Sequence, residues 1–302
     1  GGVGRAIVNI ASRKSFISSM VVADRTLSRA EDAVTRVKDS RFSAAEVNAA
    51  ELEDIRALIR KVKPDVVVNA VDPRFVMPIF LACEIENTNY IDMAMSLSRP
   101  HPHYPNSETG VKLGDEQFAR DWNWGERQIY ALVGMGIEPG MSDVFARYAE
   151  DHLFSRIDSI TIFDGSNLTV EGYDFAPSFS IWTTIEECLN PPLVWEDGRG
   201  WYTTEPFSEI EVFDFPEGIG PVECVNVEHE EVTMLPRSIN ANRVTFKYGL
   251  GAEFISVLKT LHTLGLDSTR PQRVRSAIAL AKSRVIASRE FASPTSSDVV
   301  VD

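Results

Sequence analysis

Apolar positions in the first half of the chain alternate between short continuous runs and helical spacings. Residues 3–11 place Ile7, Val8 and Ala11 on one face and predict a helix. Residues 20–23 form a short apolar strand that ends at Asp24. Ser28 and Glu31 make a capping-box pair that starts the next helix, and Asn48 with Glu51 repeats the pattern. Leu52, Ile55, Leu58, Ile59 and Val62 recur at helical spacing until Pro64 stops them. Residues 65–70 are the continuous apolar run of a strand buried on both faces. A helix carrying Phe75, Ile79, Phe80 and Cys83 follows, then strands at 90–93 and 129–133. Strands alternating with helices predict a parallel, doubly wound α/β sheet.

The second half has another character. Between residues 96 and 114 the alternation lapses, and Pro100, His101, Pro102, His103 and Pro105 mark a surface excursion. The strands that follow have an antiparallel pattern, at residues 160–163, 193–202 with a turn at Asp197 and Gly198, 210–215 and 244–248. Helices at 253–264 and 271–288 either cover that sheet or return to the first domain. Gly134, Gly136, Pro139 and Gly140 punctuate the chain between the halves. Residues 1–135 therefore read as one domain and 136–302 as a second, α+β domain. The open edges of an antiparallel sheet are usually paired or covered, which predicts a homodimer.

Composition narrows the function classes. A net charge of −14 opposes a nucleic-acid partner, which would favour a basic face. No apolar run is long enough to span a bilayer and no signal peptide opens the chain, so a cytoplasmic location without membrane contact is expected. Cys83, Cys188 and Cys224 are scattered, which suits a reducing compartment. They give no metal signature, and His101 and His103 lack a third ligand.

The main chemical signal is Gly1, Gly2, Val3 and Gly4 entering a helix. In the dinucleotide fingerprint G-x-G-x-x-G, Gly1 would be the second glycine and Gly4 the third; the first glycine and the strand before it lie upstream of residue 1. The second glycine lets the backbone approach a pyrophosphate, and the third packs the helix against the sheet. The helix N-terminus then offers free N–H groups to the phosphates. Asp24 ends the next strand, about 20 residues on, where a carboxylate accepts the ribose hydroxyls. It favours NAD, whereas Arg25 could attract the extra phosphate of NADP. Loops at the ends of parallel strands line the cofactor crevice, which adds Ala70, Val71 and Asp72, and Met93 beside Asp92. Asp24 and Asp72 can equally be cap or turn residues. A sheet of order 3-2-1-4-5-6 without its first strand would also leave the strands at 20–23 and 65–70 unpaired with each other.

Here a resemblance becomes specific. Gly-Gly-Val-Gly, Val22 to Thr26, Val68-Asn69-Ala70, Tyr90-Ile91-Asp92 and the run from Gly136 to Ala146 follow the order and approximate spacing of the saccharopine dehydrogenase-like family. That family includes saccharopine reductase, lysine 6-dehydrogenase and carboxynorspermidine dehydrogenase. Asp121-Trp122-Asn123-Trp124 particularly resembles the carboxynorspermidine branch. The resemblance implies a Rossmann domain followed by a mixed α+β substrate domain. It also implies oxidation or reduction at a carbon–nitrogen bond of an amino acid or polyamine precursor, with NAD or NADP as cofactor. The long excursion and the abrupt end of the chain depart from the family pattern.

Hydride transfer is mostly a positioning task, but a group must also handle the nitrogen proton. His229, flanked by Glu228, Glu230 and Glu231, is the first candidate, with Asp92 and Glu138 as alternatives. A substrate carboxylate would want basic partners. Arg243 and Lys247, four apart on one strand, share a face. The bland reading of His229 is a solvated strand residue, that of Arg243 and Lys247 an exposed, charged strand face, and that of the glycine-rich turn holding Glu138 an interdomain hinge. The rival function is a non-catalytic NAD(P)-binding sensor or scaffold on the same fold.

Overall fold

In the computed structural model of the protein, residues 1–167, 171 and 181–264 are described. The chain divides into two compact units, one of residues 1–99 with 111–148 and one of 100–110 with 149–302. The division falls inside a helix, and it gives part of the excursion to the second unit. Among the described residues no helix is long and apolar enough to cross a membrane.

The first unit opens with α1 (Gly2–Ser12), whose Val8 and Ala11 pack on Phe42. β1 (Met20–Asp24), α2 (Leu27–Val37) and β2 (Phe42–Glu46) follow, and β1 pairs β2 in parallel from Met20↔Phe42 to Asp24↔Glu46. The capping box at Ser28 is not formed. Helix α2 starts two residues earlier, with Thr26 at its N-cap and no side-chain cap bond. Asn48 instead accepts the Ala50 N–H at 3.2 Å in a turn before α3 (Leu52–Val62), whose N-cap is Glu51.

Next come β3 (Val66–Asn69), α4 (Val76–Ile85), β4 (Asn89–Asp92), the short α5 (Asp115–Phe118) and α6 (Asp121–Glu126), β5 (Ala131–Leu132) and α7 (Met141–His152). Strands β3, β4 and β5 form a separate parallel sheet in that order. β1 and β3 are therefore not hydrogen-bonded to each other. The run expected to be buried on both faces is not: Val66 and Val68 are each 39% exposed, because β3 is an edge strand here. Ile55, Ile59, Ile79, Phe80, Tyr90 and Trp124 form the core beside this sheet. Phe80 lies edge-on to Tyr90 at 5.3 Å and tilted to Trp124 at 4.7 Å. Each such aromatic pair is worth on the order of 1 kcal/mol beyond its burial. Around Trp124, the buried Glu84 accepts from Arg120 at 2.5 and 2.8 Å and from Asn123 at 3.2 Å. The Arg120 hydrogen bond holds the Glu84 carboxyl below its ordinary pKa.

The second unit is built on a six-stranded sheet. Its elements are β6 (Ile157–Gly165), α8 (Ile181–Leu189), β7 (Leu193–Glu196), β8 (Gly200–Thr203), β9 (Glu211–Phe215), β10 (Gly220–Asn226), α9 (Glu231–Met234), β11 (Ala241–Gly249) and α10 (Ala252–Leu264). The strand order is β8-β7-β11-β10-β9, with β6 also on β11. The sheet is mixed rather than antiparallel throughout, since β6 runs parallel to β11 from Ile157↔Ala241 to Gly165↔Gly249. The hairpin β7–β8 turns through Gly198 and Gly200, both with positive φ. Thr203 Oγ1 reaches the carbonyls of Pro105 at 2.7 Å and Glu108 at 3.1 Å, which ties the excursion to β8. The helix expected at 271–288 lies outside the described residues.

Candidate active site

The dinucleotide residues gather at strand ends and at one helix start. Gly1 caps α1, and the first bond of the helix is Arg5 N–H to the Gly1 carbonyl at 3.1 Å. The N–H groups of Gly2, Val3 and Gly4 therefore precede any intrahelical partner. No acidic side chain stands in that first turn. A Cβ at Gly1, Gly2 or Gly4 would meet nothing within 4 Å. A helix start of this kind, with free N–H donors and the positive end of the dipole, suits an anionic group. Among the described residues nothing packs closely on Gly4, and β1 and β3 belong to separate parallel sheets.

Asp24 ends β1 and accepts the Thr26 N–H at 2.8 Å, so it already serves the turn into α2; Arg25 is exposed beside it. After β3, Asn69 bonds the buried Tyr90 hydroxyl at 2.9 Å and accepts the Val71 N–H at 3.2 Å, while Ala70 is half-buried. Asp72 accepts the Arg74 N–H at 3.0 Å and pairs with its guanidinium at 2.8 Å. Burial opposes its ionisation, but those Arg74 bonds hold its carboxyl below the ordinary value. The turn reading of Asp72 is thus realised in the structure.

Asp92, at the end of β4 beside the half-buried Met93, is 1% exposed. Its carboxylate accepts from Gly134 N at 2.7 Å and Gln117 Nε2 at 2.8 Å, and its carbonyl accepts from Met135 N at 2.8 Å. It therefore fixes the turn at 134–140. That turn needs its glycines: a Cβ on Gly140 would lie 2.6 Å from the backbone nitrogen of Gly136. Glu138 is half-buried in the same turn.

In the second unit, β11 presents two different faces. Its one-to-one register with β6 is unbroken, so side chains alternate regularly. Arg243, Thr245 and Lys247 share one face, as their spacing predicts. It is not a solvated face, since Lys247 is only 4% exposed. Arg243 pairs with Glu196, with Glu209 Oε1 at 2.6 Å and with Tyr202 Oη at 3.1 Å. Lys247 Nζ donates to the Glu209 carbonyl at 2.5 Å and meets Glu211 Oε2 at 3.2 Å. Asn226 is the cross-strand partner of Lys247 on β10.

The other face carries Phe246 and Tyr248, and His229 stacks on Phe246 with ring centroids 3.8 Å apart. His229 is buried, and its Nδ1 is bonded to Glu231, with Glu230 at 3.5 Å. Tyr248 donates to Glu187 of α8 at 3.0 Å, and Asn190 donates to Glu228 at 2.8 Å. Burial disfavours charge on His229, but the Glu231 hydrogen bond and the charges of Glu231, Glu230 and Glu187 outweigh it and raise its pKa to about 10. Burial raises Glu187 to about 7, tempered by the charge on His229. The ligand-capable atoms of His229, Glu230 and Glu231 lie within 4.8 Å of one another, a grouping no metal-spacing motif announces.

Two consequences correct the reading of the sequence. His229 and the Arg243–Lys247 pair stand on opposite faces of β11, so they do not converge on one substrate group. His229 belongs to the second unit, and its alternatives Asp92 and Glu138 belong to the first. The sequence reading misses Glu187, Asn226 and Glu209. Only Glu187 has a local signal, the helical spacing of Ile181, Thr184, Ile185 and Cys188 around it.

Comparison with known proteins gives a consistent picture. A family model described as the saccharopine dehydrogenase NADP binding domain matches residues 1–132, and one described as the saccharopine dehydrogenase C-terminal domain matches 136–297. A carboxynorspermidine synthase of Vibrio alginolyticus is 30% identical over 286 residues, covering 90% of this chain and 66% of its own length. A carboxyaminopropylagmatine dehydrogenase of Synechocystis is 24% identical, covering 88% of this chain and 64% of its own. The chain thus spans just under two thirds of these curated relatives. A solved apo saccharopine dehydrogenase (L-Glu forming) from Saccharomyces cerevisiae has the same fold at a TM-score of 0.63 and 15% identity. That likeness covers 89% of this chain and 57% of the yeast one.

Proposed function

That the chain belongs to the saccharopine dehydrogenase family is the premise from which we propose its activity: reversible hydride transfer at a carbon–nitrogen bond of a carboxylated polyamine precursor or amino acid. The observation that carries the reading is the succession of both family models along the chain, a nucleotide-binding one and then a C-terminal one. The polyamine side is favoured because the curated relatives at 30%, 28% and 24% identity are named for carboxynorspermidine and carboxyaminopropylagmatine.

A bound NAD or NADP would supply the hydride acceptor or donor. The start of α1 would hold its diphosphate, and Asp24 or Arg25 would meet the adenosine ribose. Ala70, Val71 and Met93 line the strand ends where the rest of a dinucleotide would lie. Arg243 and Lys247 would hold a substrate carboxylate. His229 is better suited to fastening β11 to α8 and α9 than to exchanging protons, given its burial and its bond to Glu231. Asp92 fixes the turn after the parallel strands through Gly134 and Gln117, and Glu138, half-buried in that turn, is the group we assign to the nitrogen proton.

The test is a spectrophotometric assay with NAD and NADP against carboxynorspermidine, carboxyaminopropylagmatine and saccharopine. Turnover of a polyamine derivative is expected, with Glu138→Gln lowering kcat. Asp24→Ala should weaken NAD more than NADP, since it removes the ribose acceptor and its repulsion of a phosphate. Dinucleotide binding without turnover across the panel would overturn the reading in favour of a sensor. The homodimer is proposed on a separate ground. β9 is an edge strand whose Val212 is 65% exposed, and a monomer mass by light scattering would exclude pairing there.

A further inference from the structure

The basic face of β11 is closed by the segment joining β8 to β9. Within it, Phe207 and Glu209 adopt left-handed backbone conformations, with φ of 60° and 50°. Non-glycine residues take that region rarely, and a bulky one such as Phe seldom does so without being held. Phe207 is held: it is 6% exposed, with the Lys259 ammonium 5.1 Å from its ring centre. Ser208 accepts the Asn226 N–H at 3.0 Å. Glu209 then gives its carboxylate to Arg243 at 2.6 Å and its carbonyl to Lys247 at 2.5 Å. The residue that engages both cations is itself exposed, and so is Ile210 after it, at 62%.

Next to these contacts is an unfinished one. Asn226 is 1% exposed, and neither its Oδ1 nor its Nδ2 has a hydrogen-bond partner among the described residues. It faces Lys247 directly across the antiparallel pair, where side chains share a face with Cβ atoms about 5 Å apart. A buried amide with nothing to bond is unfavourable, and its two N–H donors suit a carboxylate oxygen.

We propose that Arg243, Lys247 and Asn226 form a carboxylate-binding site, and that Glu209 is a built-in competitor which occupies it until a ligand carboxylate displaces the strap at 205–210. The proposal rests on the reading that Arg243 and Lys247 receive the substrate's carboxylate, and it adds the third partner and the gate. The left-handed backbone at 207 and 209 favours release, because leaving the closed position relieves it. A ligand carboxylate would take the guanidinium that Glu209 gives up and would pair the Asn226 amide.

The test uses the full chain with glutarate as probe and neutral glutaramide as control, followed by calorimetry without dinucleotide. Glu209→Gln keeps the size of the side chain but removes its charge, and should tighten glutarate binding several-fold while leaving glutaramide unbound. Lys247→Met and Asn226→Leu should weaken glutarate. Equal or weaker glutarate binding by Glu209→Gln would overturn the proposal, as would equal binding of the two probes. Should Glu209→Gln not fold, hydrogen exchange on the unmodified chain decides. Glutarate should speed exchange at 205–210 and at the Asn226 amide, whereas unchanged exchange would refute the gate. None of these readouts needs hydride transfer, so an inactive protein that binds glutarate as described would count against the proposed activity alone.

Discussion

Lys247 and Tyr248 are neighbours in sequence, yet one serves a basic face and the other an acidic cluster. The strand period of two separates them, and for Arg243 and Lys247 this is legible in the sequence. What is not legible is who meets them. Glu209 and Asn226 lie 34 and 21 positions from Arg243 and Lys247, and only the sheet order brings them together. The same holds for His229, which reads as a solvated residue among acids and is instead buried against Phe246. Its surroundings predict a pH dependence. Glu231, Glu230 and Glu187 face His229, with Tyr248 and Glu228 adjoining Glu187. His229 rises from an ordinary 6.5 to about 10, so its contribution to stability is complete below 6.5 and is lost as pH climbs toward 10. Glu187 rises from 4.5 to about 7; the folded chain keeps a proton that the unfolded chain releases, so stability again falls as pH rises through that window. Both act in one direction. The urea midpoint should therefore decline from about pH 5 to pH 10. Glu187→Gln should flatten the acidic part of that decline and His229→Gln the alkaline part. A wild-type midpoint that rises over this range would refute the buried ionic pair.

At the scale of elements, strong patterns are legible and weak ones are not. Helices α1, α3 and α4 and strands β1, β3 and β4 carry continuous or periodic apolar residues, which place them within a residue or two. β2 escapes notice because Phe-Ser-Ala-Ala-Glu has a single large apolar residue and little strand propensity, and its existence depends on pairing with β1. β10 escapes because it opens with Gly220 and Pro221 and carries a polar Glu223, yet it pairs both β9 and β11. The direction of β6 is hidden for a related reason. Local alternation marks a strand as half-buried but does not say which neighbour it takes, and β6 lies parallel to a strand 84 positions away. Asp121 to Trp124 is the stretch whose sequence resembles the carboxynorspermidine branch. In the structure Trp124 lies in the core and Asn123 bonds Glu84, while Trp122 is 73% exposed.

At the scale of the molecule, the first unit holds two parallel sheets where a doubly wound domain has one continuous sheet. β1 is paired on one side by β2, and β3 on one side by β4. Among the described residues neither has a strand on its other side, so each presents an open edge whose amides alternate between bonded and unbonded directions. The order 3-2-1-4-5 assigns the place between those edges to one strand, and neighbouring strands lie about 4.8 Å apart. Apolar surface is uncovered in the same unit, with Val66 and Val68 at 39% and Val3 and Ile10 of α1 at 57% and 55%. Open edges and uncovered valines predict local opening well below the cost of global unfolding. In the 302-residue chain, hydrogen exchange should find the open-edge amides of β1 and β3 fast. The amides of β4, paired on both sides by β3 and β5, should be slow by comparison. A hydrophobic dye should bind the same unit. If a strand is then supplied between the two edges, β1 and β3 should gain protection together and dye binding should fall, because one insertion completes both ladders. Equal protection of β1, β3 and β4 in the 302-residue chain would show that the edges are already covered. The phosphate-binding role given to Gly1–Gly4 would then lose its structural support, since it assumes that the helix they begin follows a strand lying between β1 and β3.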